Sequence, residues 1–196
     1  TEDEFVVGAM ATLRQFETHE GLNAYFDHAA QESVRHIVGV QFRNCATMGG
    51  SVWLRAGFSD PLTLLLAMDC TVELYQGDGK LVQIPIAEFC RQKPDNSILT
   101  AVHIQKTGRK IVYQSFRNTE TDFPVLTAAV SVKDGKYCAA VGARPMRARE
   151  VYADNIPELI EQAKELPYQN NIRASAEYRR MLSGVLIQRA ADELER

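Results

Sequence analysis

The chain has 196 residues, 45% of them apolar and 24% charged, with a formal net charge of −3. It is long enough to bury one large core or two small ones, its mild acidity gives no electrostatic reason to expect nucleic acid or an anionic membrane surface, and no apolar run approaches the ~20 residues that cross a bilayer. Its four cysteines, Cys45, Cys70, Cys90 and Cys138, form no C-x-x-C pair, which argues against zinc or iron–sulfur ligation and favours reduced thiols in a cytoplasmic protein.

In chain order, Phe5-Val6-Val7 reads as a short strand ending at Gly8, and Thr12 with Gln15 has the spacing of a capping box for a helix to about Glu17. Leu22, Tyr25, Phe26, Ala29 and Ala30 recur at helical spacing and predict one helix over 22–36. Asp60-Pro61 opens a short helix over 62–68, with Asp60 as N-cap and proline in the first turn. Residues 71–76 and 81–86 form a hairpin around Gly77-Asp78-Gly79, and Pro85 argues for a sheet edge. The polar stretch 91–97, with Pro94, is the best boundary between two units, 1–93 and 94–196. Beyond it 98–104, 110–116, 125–132 and 137–141 read as strands or a strand–helix mixture, with the Asp134-Gly135 hairpin signal before the last. From Ala148 onward the pattern is helical, through 157–165 and then 174–195. Helices with short strands, then a meander, then helices indicate an α+β protein.

Residues 43–61 carry most of the functional information. Gly49 and Gly50 follow the small residues Cys45-Ala46-Thr47. Paired glycines let a backbone approach a ligand and aim consecutive N–H groups at one anion, and Thr47 adds a hydroxyl. Asp60 follows as an acceptor-only carboxylate able to hold sugar or polyol hydroxyls. The same glycine pair is equally at home in a tight turn between strands, and Asp60 can serve as a helix cap, as a ligand acceptor, or as both. Cys45 reads as a small packing residue. The four histidines have no metal or carboxylate spacing and receive no chemistry.

Arg43, Asn44, Ala46, Thr47, Gly49, Gly50, Ser59, Asp60 and Pro61 match the pattern Arg-Asn-x-Ala-Thr-x-Gly-Gly-Asn followed by Ser-Asp-Pro. That stretch resembles the second FAD-binding segment of the flavin subunit of molybdenum hydroxylases, the family of xanthine, nicotinate and carbon monoxide dehydrogenases. The chain departs at Ser51, where the family usually has Asn. Further segments resemble the same subunit in order: 6–13, 98–104, 113–117, 122–126, and the ending Ser175-Ala176-Glu177-Tyr178-Arg179-Arg180 into Leu186–Ala190. The resemblance implies the second half of an FAD-binding domain, with a small mixed sheet and helices, then a C-terminal domain of three antiparallel strands and a helical bundle. It also implies that an N-terminal βαβ unit with its own diphosphate-gripping turn belongs to the same domain, so that this chain is expected to be a fragment.

The resemblance implies FAD as cofactor, molybdopterin and [2Fe–2S] clusters on partner subunits, and electron flow through FAD to NAD or another acceptor, with no nucleophile or acid–base pair in this chain. By position it assigns Ala46, Thr47, Met48, Gly49 and Gly50 to the loop around the diphosphate or ribityl chain, and Asp60 to hydroxyl contact. It places Leu99 and Ile37 near the flavin or adenine, and Gln114 where some members have a lysine beside the flavin. For Leu99 and Ile37, core packing is an equal reading. The alternative function is a non-catalytic assembly module without flavin, which the Ser51 departure favours.

Overall fold

Strand pairing organises the protein, described over residues 1–196 by a computed structural model, around two antiparallel sheets. The first half runs β1 (Glu4–Gly8), α1 (Leu13–Thr18), α2 (Glu20–Tyr25), α3 (Ala29–Val34), α4 (Val40–Arg43), α5 (Met48–Trp53), α6 (Asp60–Leu66), β2 (Cys70–Tyr75), β3 (Leu81–Pro85), α7 (Ile86–Arg91) and β4 (Ile98–Gln105). The second runs β5 (Lys110–Phe116), β6 (Leu126–Lys133), β7 (Lys136–Gly142), β8 (Arg149–Ala153), α8 (Ile156–Glu165) and α9 (Ala176–Leu194). The sheet orders are β1-β4-β2-β3 and β5-β6-β7-β8. The α+β class is as expected, and every strand pair in the first sheet is antiparallel.

Local chemistry explains the elements that the sequence announces. The Thr12 hydroxyl accepts from Gln15 N at 3.1 Å while the Gln15 side chain accepts from Thr12 N at 2.8 Å, so both orphan donors at the start of α1 are satisfied. Asp134 and Gly135 both have positive φ, 51° and 74°, the backbone that a tight β6–β7 hairpin requires. Strand β3 with Pro85 lies at the sheet edge.

Four expectations are corrected. The helix over 22–36 is two helices, α2 and α3, because Asp27 and His28 take left-handed backbone at φ 46° and 61° and end the helical hydrogen bonding. Strand β4 pairs with β1 and β2, so the chain crosses between sheets at 106–109 rather than at 91–97. Residues 149–153, expected as helix, form β8 against β7, which makes the second sheet four-stranded rather than three-stranded. Cys45 is exposed, not packed.

The second sheet is covered on both faces, and the strand period assigns its side chains. Leu126, Ala128 and Val130 of β6 join the core formed with Leu182, Leu186 and Ile187 of α9. From the opposite face Ala129 joins the core of the first half, Thr127 meets Thr63 of α6 at 3.1 Å, and Ser131 donates to Ala67 O at 2.6 Å. Helix α6 is therefore wedged between the helices of the first half and the second sheet. All of its residues from Asp60 to Leu66 are buried.

Candidate functional site

Because α6 is the wedge, its first residue sits at the junction of the two halves. Ser59, not Asp60, caps the helix, accepting from Leu62 N at 3.4 Å and donating to Ser51 O at 2.8 Å. Asp60 is the first helical residue, with its carboxylate turned to the second sheet. There Tyr113 Oη donates to Asp60 Oδ1 at 2.6 Å and Arg117 Nη2 donates to the same oxygen at 2.5 Å. Tyr113 and Arg117 are four residues apart along and just beyond β5, so the strand period turns them to one face. Arg117 Nη1 also donates to Asp122 O at 2.6 Å, while the Asp122 carboxylate takes a bidentate pair from Arg173.

Beside this ionic floor lies a cavity of about 400 Å³ whose lining includes His36, Thr47, Ser51, Asp60 and Arg117. Its rim is apolar: Phe42, Leu54, Phe58 and Phe123 are at least half exposed. Phe58 and Phe123 meet edge to face with centroids 4.7 Å apart. A mostly apolar cleft with a few convergent polar groups is the usual form of a cofactor pocket.

The electrostatics follow from burial. Desolvation pushes the Asp60 carboxyl up to about 6, even though Arg117 and Tyr113 pull it down. Burial and the neighbouring carboxylate raise Tyr113 far above the ordinary phenol range, so it stays a donor. Burial, with the charges of Arg35 and Arg117, holds His36 below the usual imidazole value and favours its neutral form. Asp122 is held low, first by its hydrogen bonds from Arg173.

Of the residues singled out from sequence, Ile37, Ala46, Thr47, Gly50 and Asp60 line this one cavity. Met48 is fully buried in the core behind it. Leu99 lies in the core of the first half through β4, away from the lining. Gln114 follows Tyr113 and so faces the other side of the sheet, where its amide donates to Glu193 of α9 at 2.8 Å.

The expected cradle of backbone amides is also revised. Met48 N and Gly49 N donate to Ala11 O and Ala9 O at 2.9 and 2.8 Å, and Gly50 N donates to the Thr47 hydroxyl at 3.2 Å. These amides serve the protein itself. The Ser51 hydroxyl likewise turns inward, to Thr47 O at 3.1 Å. The Thr47 hydroxyl remains as a donor at the cavity wall, whereas the Arg117 Nε–H is buried without an acceptor in the protein. With a glycine surface at Gly50 and flat aromatic walls, these residues fit a nucleotide cofactor with a planar ring.

Sequence reasoning missed His36, Arg117 and Phe123 as site residues. Arg117 had a signal: it shares the period of Tyr113 within a segment already matched to the flavin subunit.

The glycine pair divides into two roles. A Cβ at Gly49 would stand 2.8 Å from Ala9 O and 2.9 Å from Ala9 Cβ, whereas one at Gly50 meets only Thr47 Oγ1, at 3.4 Å. Gly49→Ala is expected to destabilise the fold by about 1–3 kcal/mol through overpacking. Gly50→Ala should melt at or slightly above the wild-type temperature, because alanine favours helix over glycine by about 0.5–1 kcal/mol. Thermal unfolding of the two variants tests this, and equal destabilisation would contradict it.

A sequence model described as the FAD binding domain in molybdopterin dehydrogenase matches residues 1–106, more than half of the chain. The chain belongs to this family and is an FAD-binding member of the molybdenum hydroxylase type. It is 28% identical over 188 residues to the uncharacterized protein YgfM of Escherichia coli K12, covering 92% of this chain and 69% of that one. It is 29% identical over 115 residues to aldehyde oxidase 4 of Mus musculus, 54% of this chain but 9% of that much longer protein. Among solved structures, quinoline 2-oxidoreductase from Pseudomonas putida 86 superposes with a TM-score of 0.83 at 18% identity, over 97% of this chain and 74% of that one. Carbon monoxide dehydrogenase from Oligotropha carboxidovorans gives 0.81 at 20% identity, over 96% and 74%. At that identity these two structures establish the shared fold.

Proposed function

We propose that this chain carries FAD in a multi-subunit molybdenum hydroxylase, and that FAD lies in the cavity between α5, α6 and the end of β5. A partner subunit holds molybdopterin and oxidises the substrate, [2Fe–2S] clusters on a further subunit relay electrons, and NAD or another acceptor receives them. Bound FAD supplies the electron-transfer chemistry. This chain's residues bind and orient it: Thr47 offers a hydroxyl, Gly50 leaves room at the wall, the Asp60–Arg117 pair forms a rigid polar floor, and the aromatic rim keeps water from the ring. Residues up to about 106 form the FAD-binding unit and the remainder closes it. The reading also places the protein in the cytoplasm; no helix is long and apolar enough to cross a membrane.

The observation that carries the proposal is the convergence on one cavity of the family-matched loop residues Ala46, Thr47 and Gly50 with Asp60. Titration of the full chain with FAD, followed by flavin absorbance and fluorescence, tests it. Saturable binding that shifts the flavin spectrum is expected, and no binding either alone or with partner subunits would refute the reading. The inward turn of Ser51 favours a second reading, an assembly module that holds the partners without flavin. Purification of a complex containing this chain, with molybdenum and iron present but no flavin released on denaturation, would select it.

A further inference from the structure

We propose that the cavity takes only the flavin–ribityl half of the cofactor, a neutral planar ring with a polyol tail, and that the ADP half lies outside it. Resting on the FAD reading of the cavity, this assigns the part of FAD that the chain grips.

Charge separates the two halves of FAD. The ionisable side chains in the lining are His36, Asp60, Arg117 and Asp122. Arg117 is committed to Asp60 at 2.5 Å and to Asp122 O at 2.6 Å, and the Asp122 carboxylate is committed to Arg173 at 2.6 Å. Burial, with the charges of Arg35 and Arg117, favours neutral His36 over the opposing pull of Glu32 and Glu120. No unpaired cation is left to meet a diphosphate. The backbone supplies no substitute, because the amides of Met48, Gly49 and Gly50 end on acceptors within the protein. Phosphate charges brought beside Asp60 and Asp122 would lose water and find no partner in return.

The groups that remain free are uncharged. The Thr47 hydroxyl accepts from Gly50 N and keeps its own hydrogen, while Ser51 Oγ donates to Thr47 O and keeps its lone pairs. Neither ring nitrogen of His36 has a hydrogen-bond partner, the Glu120 carboxylate standing 4.0 Å from Nδ1, and neither nitrogen is buried. A neutral imidazole carries one donor and one acceptor. Donors and acceptors mixed in this way match a polyol, whose every hydroxyl can do both.

Size and the apolar walls select the flavin. At about 400 Å³ the cavity lies toward the small end of ligand pockets, roughly 300–1,000 Å³. FAD joins its flavin–ribityl half to an ADP half of similar bulk, so a cavity of this size suits one of them. Phe42, Phe58 and Phe123 present flat apolar surface, which suits the dimethylbenzene edge of the flavin, a feature adenine lacks.

The test is a ligand series on the unaltered full chain. Affinities for FAD and riboflavin are measured by flavin fluorescence, and those for ADP and adenosine by competition with riboflavin. Riboflavin is expected to bind within tenfold of FAD, and ADP and adenosine at least tenfold more weakly than riboflavin. Raising the salt to about 0.5 M should weaken FAD no more than riboflavin, because screening acts on charges and the bound half carries none. Riboflavin more than tenfold weaker than FAD overturns the inference, as does a salt-dependent loss confined to FAD; either would put the diphosphate against this chain. Competition by ADP or adenosine within tenfold of riboflavin overturns it too, by placing the adenine half in the cavity. Failure of the folded chain to bind either flavin would instead remove the underlying FAD reading.

Discussion

Replacing Asp60 by alanine is expected to lower the unfolding free energy by about 3–5 kcal/mol, the range found when one partner of a buried ion pair is removed. The side chains of Asp60 and Arg117 are 5% and 8% exposed. Without the carboxylate, the guanidinium stays charged and buried, because arginine does not deprotonate at accessible pH. The reciprocal change is not equivalent. In Arg117→Met the remaining carboxyl can take a proton, and burial already places it near 6 with the arginine present. Arg117→Met should therefore cost less than Asp60→Ala at pH 5, and its cost should grow as pH rises.

The sign for the wild-type group follows from the same shift. A carboxyl raised from 3.8 to about 6 in the folded state contributes stability that is fully present below the unfolded value and is lost as pH rises through the folded one. The stability difference between wild type and Asp60→Asn should narrow between pH about 4 and 6 and level off above. Denaturant melts of wild type, Asp60→Ala, Asp60→Asn and Arg117→Met at several pH values check both statements. Parallel pH profiles for all four would show that the Asp60 carboxyl does not titrate in this window.

Arg179→Met is expected to be comparably damaging, by about 3–5 kcal/mol or by loss of folded protein. Arg179 is completely buried in α9 and meets no carboxylate. Its guanidinium donates to Val125 O at 2.8 Å, to Gln169 O and Ala174 O at 2.7 and 2.8 Å, and to Asn171 Oδ1 at 2.6 Å. One side chain thus ties the last helix to the entry of β6 and to the irregular segment 169–174. Methionine fills much of the volume and abandons all of these acceptors. Arg179→Lys keeps the charge and loses the fork geometry, so it should recover only part of the stability. A lysine variant that melts like wild type would mean that charge, and not the planar donor array, matters here.

The extent to which sequence anticipated structure depended on distance along the chain. The Thr12–Gln15 capping box, the Asp134-Gly135 hairpin and the edge position of Pro85 are local rules satisfied by adjacent residues, and the structure contains each of them. The helix over 22–36 failed because the apolar spacing continues through two residues whose backbone does not. Residues 149–153 were too short for their period to be told from the helical pattern around them. At the site, the loop residues Thr47 and Gly50 were legible through their motif. Arg117 and Phe123 were not, because Arg117 reaches Asp60 and Phe123 reaches Phe58 only after the chain has built a second sheet and laid it against α6. Alternation along β5 turns Gln114 to Glu193 of α9 and Arg117 to Asp60 of α6.

The cavity walls belong to both halves: α5 and α6 on one side, the segment just after β5, from Arg117 to Phe123, on the other. A ligand that touches both sides acts as a removable staple. Whatever free energy it gains on binding is shared by the seam at which Thr63 meets Thr127, by roughly RT ln(1 + [L]/Kd), or about 2.7 kcal/mol at a hundredfold excess over Kd. Affinity for the cofactor and adhesion between the halves are then two readings of one coupling, and depletion of the cofactor would register first as a loosened joint.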